Sequence, residues 1–165
     1  MDFKQRCLHQ LTMSRDLSDK YLASFETPEQ WTHQVSEGTN HALWFAGHIA
    51  VADNYFISLT APDQAIDLAS YNEQFGKGSR PSPNAADYPP PAEILEVLRE
   101  RRAVLREVLN AQSEEDFDKP APEGAPAFLA DVGAIFQMAG WHEALHAGQL
   151  SLVRRSLGNS PLVGG

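Results

Sequence analysis

The chain of 165 residues is the size of one ordinary domain and is long enough to bury a hydrophobic core. Its formal net charge of -9 argues against a nucleic-acid partner and an anionic membrane, because both require a clustered Lys/Arg surface. No apolar run approaches the ~20 residues of a membrane span, and the N-terminus lacks the apolar stretch of a secretory signal. The single cysteine, Cys7, cannot form an internal disulfide, so we expect a cytoplasmic location.

Four long segments have the apolar spacing of amphipathic helices. They cover residues 2–23, 41–59, 91–112 and 127–157, with a short helical turn at 27–30 between the first two. In that turn Thr27 can cap the helix, Pro28 suits its first position, and Gln30 can reach back to the cap. Thr39 or Asn40 is the predicted cap of the second long helix. Since no segment shows the period-two alternation of a strand, we predict an all-α fold.

Residues 60–90 interrupt this pattern with several prolines and glycines, although 64–70 allow a helical turn. A long irregular connection inside a compact domain is usually a crossover or a functional loop. We therefore expect one domain over residues 1–165, built as a four-helix bundle with a long crossover connection between the second and third long helices.

His142 and His146 are four residues apart, so they lie on one face of the last helix, about 6 Å apart along its axis. Two such imidazoles can bind one ion at ~2.0–2.1 Å each. They recur at helical spacing with Ile135, Met138 and Val153, on a stripe predicted to face the core. Because burying two imidazoles without strong partners is costly, the pair favours a metal site over two core histidines.

The string His142-Glu143-Ala144-Leu145-His146 also matches the H-E-x-x-H signature of zinc proteases, in which the glutamate is the general base. Such enzymes normally take a third ligand after the motif. The 19 residues that follow His146 contain no His, Asp or Glu. A protease is therefore disfavoured, and we interpret Glu143 as a partly exposed helix residue.

The third ligand must then lie upstream, where the candidates are His9, His33, His41 and His48. Of these, His48 alone lies on an apolar stripe in the middle of a helix, and its small neighbours allow another helix to approach closely. His41 is two turns earlier on nearly the same face and is the second choice. Three protein ligands leave a metal position open for water or substrate, as in catalytic sites.

Other side chains near these positions are candidates for supporting roles. Gln149 could hydrogen-bond a ligand imidazole or a metal-bound water. Asp53 could orient His41 or His48, although a solvated surface carboxylate is the favoured interpretation. Four aromatic residues could line a pocket near the metal, although aromatics at helical spacing are more often core. They are Trp44, Phe45, Tyr55 and Trp141.

Two motifs resemble the second and final helices of the DinB/YfiT-like superfamily. They are Leu43-Trp44-Phe45-Ala46-Gly47-His48-Ile49-Ala50 with Asp53, and His142-x-x-x-His146-Ala147-Gly148-Gln149 followed by Arg154-Arg155. Tyr71-Asn72-Glu73-Gln74-Phe75-Gly76 and Asp87-Tyr88-Pro89 are also similar to the family's intervening segments. The resemblance covers most of the chain. It implies a four-helix bundle with a metal site at one end, formed by His48, His142 and His146.

The same resemblance implies nickel or zinc as the metal and a homodimer as the assembly. Characterised relatives include thiol-dependent S-transferases and isomerases, and many others are called metal-dependent hydrolases. We therefore expect a metal-dependent enzyme that acts on a small molecule, either as a hydrolase or as a transferase that uses a low-molecular-weight thiol. The competing hypothesis is a non-catalytic helical bundle that binds a ligand or partner, which the intact histidine triad disfavours.

Overall fold

The computed structural model describes residues 1–162, and this part of the chain folds into six α-helices without a β-strand. They are α1 (Phe3–Leu22), α2 (Pro28–Trp31), α3 (Ala42–Thr60), α4 (Ala69–Phe75), α5 (Pro91–Ala111) and α6 (Val132–Ser156). The predicted all-α fold is confirmed. The four long predicted segments correspond to α1, α3, α5 and α6.

Side-chain caps set the ends of the helices. The predicted capping box of α2 is present, with Thr27 and Gln30 bonding each other's backbone amides. The predicted start of the last helix at residue 127 is wrong by five positions. Asp131 caps α6 by accepting a hydrogen bond from the amide of Ala134 at 2.7 Å. Before this cap, residues 127 and 128 form a turn in which the amide of Leu129 donates to the carbonyl oxygen of Pro126 at 2.8 Å.

His41, rather than the predicted Thr39 or Asn40, caps α3. Its Nδ1 accepts a hydrogen bond from the amide of Trp44 at 3.0 Å, and its Nε2 lies 2.9 Å from the carbonyl oxygen of Ser82. Burial lowers the pKa of His41 to about 4, against the opposing effect of the Ser82 hydrogen bond. The neutral ring therefore donates from Nε2 and accepts at Nδ1, which leaves neither nitrogen free to bind a metal.

The connection between α3 and α5 is more regular than expected. It contains α4 and two 3-10 turns, Pro62–Gln64 and Ala85–Asp87. The helical turn allowed at 64–70 is therefore displaced towards the C-terminus. Phe75, at the end of α4, is fully buried and its ring lies directly over Gly47 of α3. This contact fixes the connection against α3.

The four long helices pack in pairs, α1 against α5 and α6, and α3 against the same two helices. α1 and α6 run in the same direction, since Ser14 bonds Glu143 and Ser24 bonds Arg154 further along both. Two hydrophobic clusters fill the interior, and the first halves of α3 and α5 share one while their second halves share the other. α3 and α5 therefore also run in the same direction.

The buried face of α6 matches the predicted stripe only in part, since Ile135 and Val153 are buried as predicted but the middle of the face is shifted. Its centre line runs through Phe136, Ala139, Glu143, Ala147 and Leu150, one residue (about a quarter turn) from the predicted line. Leu145, next to His146 in the chain, is 48% exposed. His142 and His146 are therefore at the edge of the buried face rather than at its centre.

Each long helix contributes one charged residue to a buried ionic cluster, which we define as Arg15, Asp53, Arg102 and Glu143. Arg102 donates to both oxygens of Asp53 at 2.8 and 2.9 Å, and its Nη1 lies 2.7 Å from Oε2 of Glu143. Arg15 donates to Oε1 of Glu143 at 2.9 Å. Asp53 and Glu143 are only 1% and 0% exposed, so the interpretation of both as surface or partly exposed carboxylates is wrong.

The buried ionic cluster is balanced, with two positive and two negative side chains. Burial raises the pKa of the Asp53 carboxyl, and the guanidiniums of Arg102 and Arg15 oppose this effect. Burial alone would lower the pKa of Arg102, but the carboxylates of Asp53 and Glu143 more than offset it and raise that pKa. Each guanidinium of the cluster thus lies within hydrogen-bonding distance of both carboxylates. The short, directional bonds fix the relative heights of the helices.

Replacing Asp53 with Asn should destabilise the protein by roughly 3–5 kcal/mol, because it leaves two buried guanidiniums with one carboxylate. The measurement is the free energy of unfolding in urea. Asp116→Asn is the matched control, since it weakens the ion pair of Asp116 with the exposed Lys119 and should cost much less. Equal costs for the two variants would contradict a structural role for the cluster.

Candidate metal centre

The structure brings the three predicted histidines together, His48 from α3 with His142 and His146 from α6. The Nε2 atom of His142 lies 3.3 Å from that of His48 and 3.2 Å from that of His146. One ligand atom from each ring lies within 4.8 Å of the other two. With metal–nitrogen bonds of ~2.1 Å, two ligands are separated by about 3.0 Å at a right angle and about 3.4 Å at a tetrahedral angle. The cluster therefore has the dimensions of a metal site.

His48 is held by residues from the connection that follows α3. Its Nδ1 lies 2.7 Å from the carbonyl oxygen of Phe75, which can only accept, so this nitrogen carries the proton. The Nε2 lone pair is then directed into the cluster. Trp44 stacks on the ring, with centroids 4.3 Å apart, and its indole donates to Ser79 at 2.8 Å.

His146 is oriented by its own helix. Its Nδ1 lies 3.0 Å from Oε1 of Gln149, and Asn40 donates to the same oxygen at 3.0 Å. Oε1 of Gln149 can only accept hydrogen bonds, because it is the oxygen to which the Asn40 amide donates. Nδ1 of His146 therefore carries the proton, and Nε2 of the same ring has a free lone pair. The role predicted for Gln149, a hydrogen bond to a cluster imidazole, matches this contact. The sequence predicts Asn40 only as a possible helix cap, so its contact with Gln149 is a finding of the structure.

All three imidazoles are neutral at pH 7. Burial lowers the pKa of His48 to about 4 and that of His142 to about 3, and the neighbouring His146 contributes to both shifts. Burial also lowers the pKa of His146, against the opposing hydrogen bond to Gln149. Neutral imidazole is the form that binds metal. The charge of Arg102 further lowers the pKa of His142, which links the site to the buried ionic cluster.

The other candidate histidines lie outside the cluster. His9 is exposed on α1, the ring of His33 lies 2.9 Å from Oγ of Ser156, and His41 caps α3. Asp53, proposed to orient His41 or His48, bonds the arginines of the buried ionic cluster instead.

Glu143, although adjacent to His142, is turned away from the cluster into the interior. Its Oε1 accepts from Arg15, and its Oε2 lies within bonding distance of Arg102 and Ser14. Its oxygens are therefore committed to structure. This arrangement is incompatible with the general base of a zinc protease.

The remaining aromatic candidates are divided between core and surface. Phe45 is buried in the core, whereas Tyr55 and Trp141 are exposed. Phe56, which the sequence did not single out, lies edge-on to His142 with ring centroids 6.4 Å apart. Trp44 and Phe56 thus flank the cluster on its apolar side.

A family profile described as the DinB superfamily matches residues 10–150, a range that contains all three clustered histidines. The chain belongs to the DinB superfamily. The resemblance inferred from the two motifs is thereby confirmed. Comparisons of this DinB-superfamily chain with curated proteins and with solved structures give no match. Within residues 1–162, every helix is too short or too polar to cross a membrane.

Substituting Gly47 with Ala should disturb the site through its neighbour, because the new methyl group would overlap the ring of Phe75. We expect a loss of roughly 1–3 kcal/mol in the free energy of unfolding, as for other overpacked cores. Displacement of Phe75 should also break the hydrogen bond between its carbonyl oxygen and the Nδ1–H group of His48. Urea unfolding measures the first effect, and imidazole 15N NMR shifts measure the second.

The double variant Gly47→Ala/Phe75→Leu is the control, since a smaller side chain at 75 makes room for the methyl group. Its cost should be less than the sum of the two single costs. Additive costs would show that Gly47 and Phe75 do not interact.

Proposed function

We propose that this DinB-superfamily protein is an enzyme that binds one divalent metal ion through His48, His142 and His146 and acts on a small molecule. The observation that carries the proposal is the convergence of three neutral imidazole Nε2 atoms at distances of 3.2 and 3.3 Å. Two of the rings have their Nδ1 protons engaged by Phe75 and Gln149. Such outer hydrogen bonds typically orient metal-ligating histidines.

Zinc and nickel are the metals that we propose, because both suit imidazole ligands. When bound, such an ion supplies Lewis acidity that lowers the pKa of a coordinated thiol or water. Three protein ligands leave room for that molecule, since an open position is the mark of catalytic sites.

The chain's own residues favour a thiol over water as the nucleophile. Glu143 is engaged by two arginines and a serine, so it cannot act as the base that water activation usually needs. An ordinary thiol has a pKa of ~8.5, whereas water has a pKa of ~15.7. The pKa of a thiol must therefore be lowered much less than that of water to form the nucleophile near neutral pH. In the proposed transfer the thiolate sulfur forms a bond to an electrophilic carbon. The leaving group departs with its electron pair, and the thiol proton goes to solvent.

We also infer that the four long helices form a four-helix bundle, with residues 61–90 as the crossover. The parallel course of α3 with α5 and of α1 with α6 supports this topology, because a chain joining parallel neighbours must return along the length of the bundle. The crossover would then have a functional role, since Phe75 within it holds His48.

Protein purified without chelators should contain about one zinc or nickel ion per chain, and His48→Ala and His142→Ala should lose it. The measurement is elemental mass spectrometry combined with the protein concentration. His9→Ala is the matched control, because this exposed histidine lies outside the cluster and its loss should leave the metal content unchanged. Metal retained equally in all four proteins would overturn the proposal.

A thiol transferase and a hydrolase can be separated with two model reactions. Metal-loaded protein should accelerate the reaction of an aryl halide with at least one small thiol on the order of tenfold or more, and His48→Ala should abolish the effect. Hydrolysis of an aryl ester should be little accelerated. Preferential ester hydrolysis would favour a hydrolase. Metal binding and thermal stabilisation by a small ligand without any turnover would favour the non-catalytic binding module.

A further inference from the structure

Three aromatic rings of α3 and its cap are bonded to residues 75–82 of the following connection, a segment that we call the strap. The rings are those of His41, Trp44 and His48, which lie three and four positions apart and therefore on one face of the helix. Their partners are, in the same order, the carbonyl oxygen of Ser82 at 2.9 Å, Oγ of Ser79 at 2.8 Å and the carbonyl oxygen of Phe75 at 2.7 Å. The strap thus runs antiparallel to α3, from the metal centre back to the helix cap.

The carbonyl oxygen of Phe75 is available to His48 because α4 ends there. The last carbonyl groups of a helix have no partner within the helix. The amide of Ser79, which would be the next to reach Phe75, donates to the carbonyl oxygen of Gly76 instead, at 3.1 Å. The direction of the Phe75 carbonyl, and with it the orientation of the His48 ring, therefore depends on the path of the strap.

His41 and Tyr88 together hold the far end of the strap. His41 is bonded to the carbonyl oxygen of Ser82, and the amide of Ser82 donates to the hydroxyl of Tyr88 at 2.6 Å. The Tyr88 ring lies edge-on to His41, with centroids 5.3 Å apart, and stacks on Phe75, with centroids 5.4 Å apart. Aromatic pairs of this kind prefer defined geometries. His41 is thus connected to both ends of the strap, to Ser82 directly and to Phe75 through Tyr88.

Capping α3 does not by itself account for an imidazole at residue 41. A cap requires one side-chain acceptor, which Ser, Thr, Asn and Asp provide with fewer atoms. The His41 ring is fully buried, and burial of a polar ring is tolerated only where its nitrogens are bonded. Its Nδ1 accepts from the start of α3, while its Nε2 donates to Ser82 from the other side of the ring. This second bond joins the helix to the strap.

We propose that His41 is a positioning residue of the metal centre, which holds the strap in the path that directs the Phe75 carbonyl oxygen at Nδ1 of His48. Loss of a group that orients a metal-ligating histidine typically weakens metal binding by roughly 10- to 100-fold. His41 acts through the strap, so we expect the lower end of that range. The effect on metal binding rests on the proposed function. The orientation of His48 does not, and it can be tested in metal-free protein.

His41→Asn separates the two roles of this side chain. Asparagine is a good helix cap, so α3 should still begin at Ala42. An asparagine that caps α3 is too short to reach Ser82 as well, so this variant releases the strap.

In metal-free His41→Asn, the Nδ1 proton of His48 should exchange with solvent about tenfold faster than in the wild type, because its hydrogen bond opens more often. NMR of 15N-labelled imidazole side chains measures this rate. An unchanged rate would overturn the proposal.

Zinc affinity, measured by competition with a chromophoric chelator, tests the consequence for the site. The zinc dissociation constant should rise about tenfold in His41→Asn. Asp2→Ala is the matched control, since it removes the side-chain cap of another long helix, α1, and should leave the zinc affinity unchanged. Wild-type affinity in His41→Asn would show that His41 is only a cap and would overturn the proposal. A wild type that binds no metal would overturn the proposed function instead, and the exchange rate would still decide the role of His41.

Tyr88→Phe tests the strap without a change in α3. It removes the hydroxyl that accepts from Ser82 and keeps the ring that stacks on Phe75. The exchange rate of the His48 Nδ1 proton should rise, and an unchanged rate would overturn the proposal even where circular dichroism shows that His41→Asn does not fold. In the double variant, the combined increase should be smaller than the product of the two single increases, because both substitutions release Ser82. Increases that multiply fully would show that His41 and Tyr88 act independently, against the proposal.

Discussion

The four charges of the buried ionic cluster constrain the rest of the structure. Arg15, Asp53, Arg102 and Glu143 each come from a different long helix, and their bonds of 2.7 to 3.4 Å form only when all four helices lie at one set of relative heights. A hydrophobic core alone tolerates small sliding movements, whereas an unpaired buried charge is costly. The cluster therefore specifies the register of the helices. His142 is next to Glu143 in the chain, so the same register brings α3 and α6 together at the histidines.

The candidate metal centre combines this rigid base with supports from less regular parts of the chain. Glu143 points into the ionic cluster while His142 points towards His48, so two adjacent residues of α6 serve fold and site separately. The ring of His48 is oriented from outside the four long helices, by Phe75 at the end of α4. The ring of His146 is oriented by Gln149 of its own helix, and Asn40 from the segment before α3 holds that Gln149 side chain. Core packing thus sets the distance between α3 and α6, and the connecting segments set the direction of the lone pairs.

The sequence was sufficient to predict the helices and the histidine triad because both follow from spacing along one chain. Spacing does not reveal which partners come from elsewhere. Asp53 and Glu143 looked like surface carboxylates because charged residues are rarely buried, and the arginines that neutralise them lie on α1 and α5. The support of His48 by Phe75 was equally hidden, since it depends on the fold of the connection. The predicted apolar stripe of α6 was displaced by about a quarter turn because the helix is apolar on nearly every side.

That all-round apolar character is explained if α6 has three separate tasks. One face, through Phe136 and Ala147, fills the core, and a second presents His142 and His146 to α3. The third, through Trp141 and Leu145, is exposed in the isolated chain. A helix that is hydrophobic all round is normally buried all round. The core and the metal centre account for two faces of α6, and the third is the exception to this rule within residues 1–162.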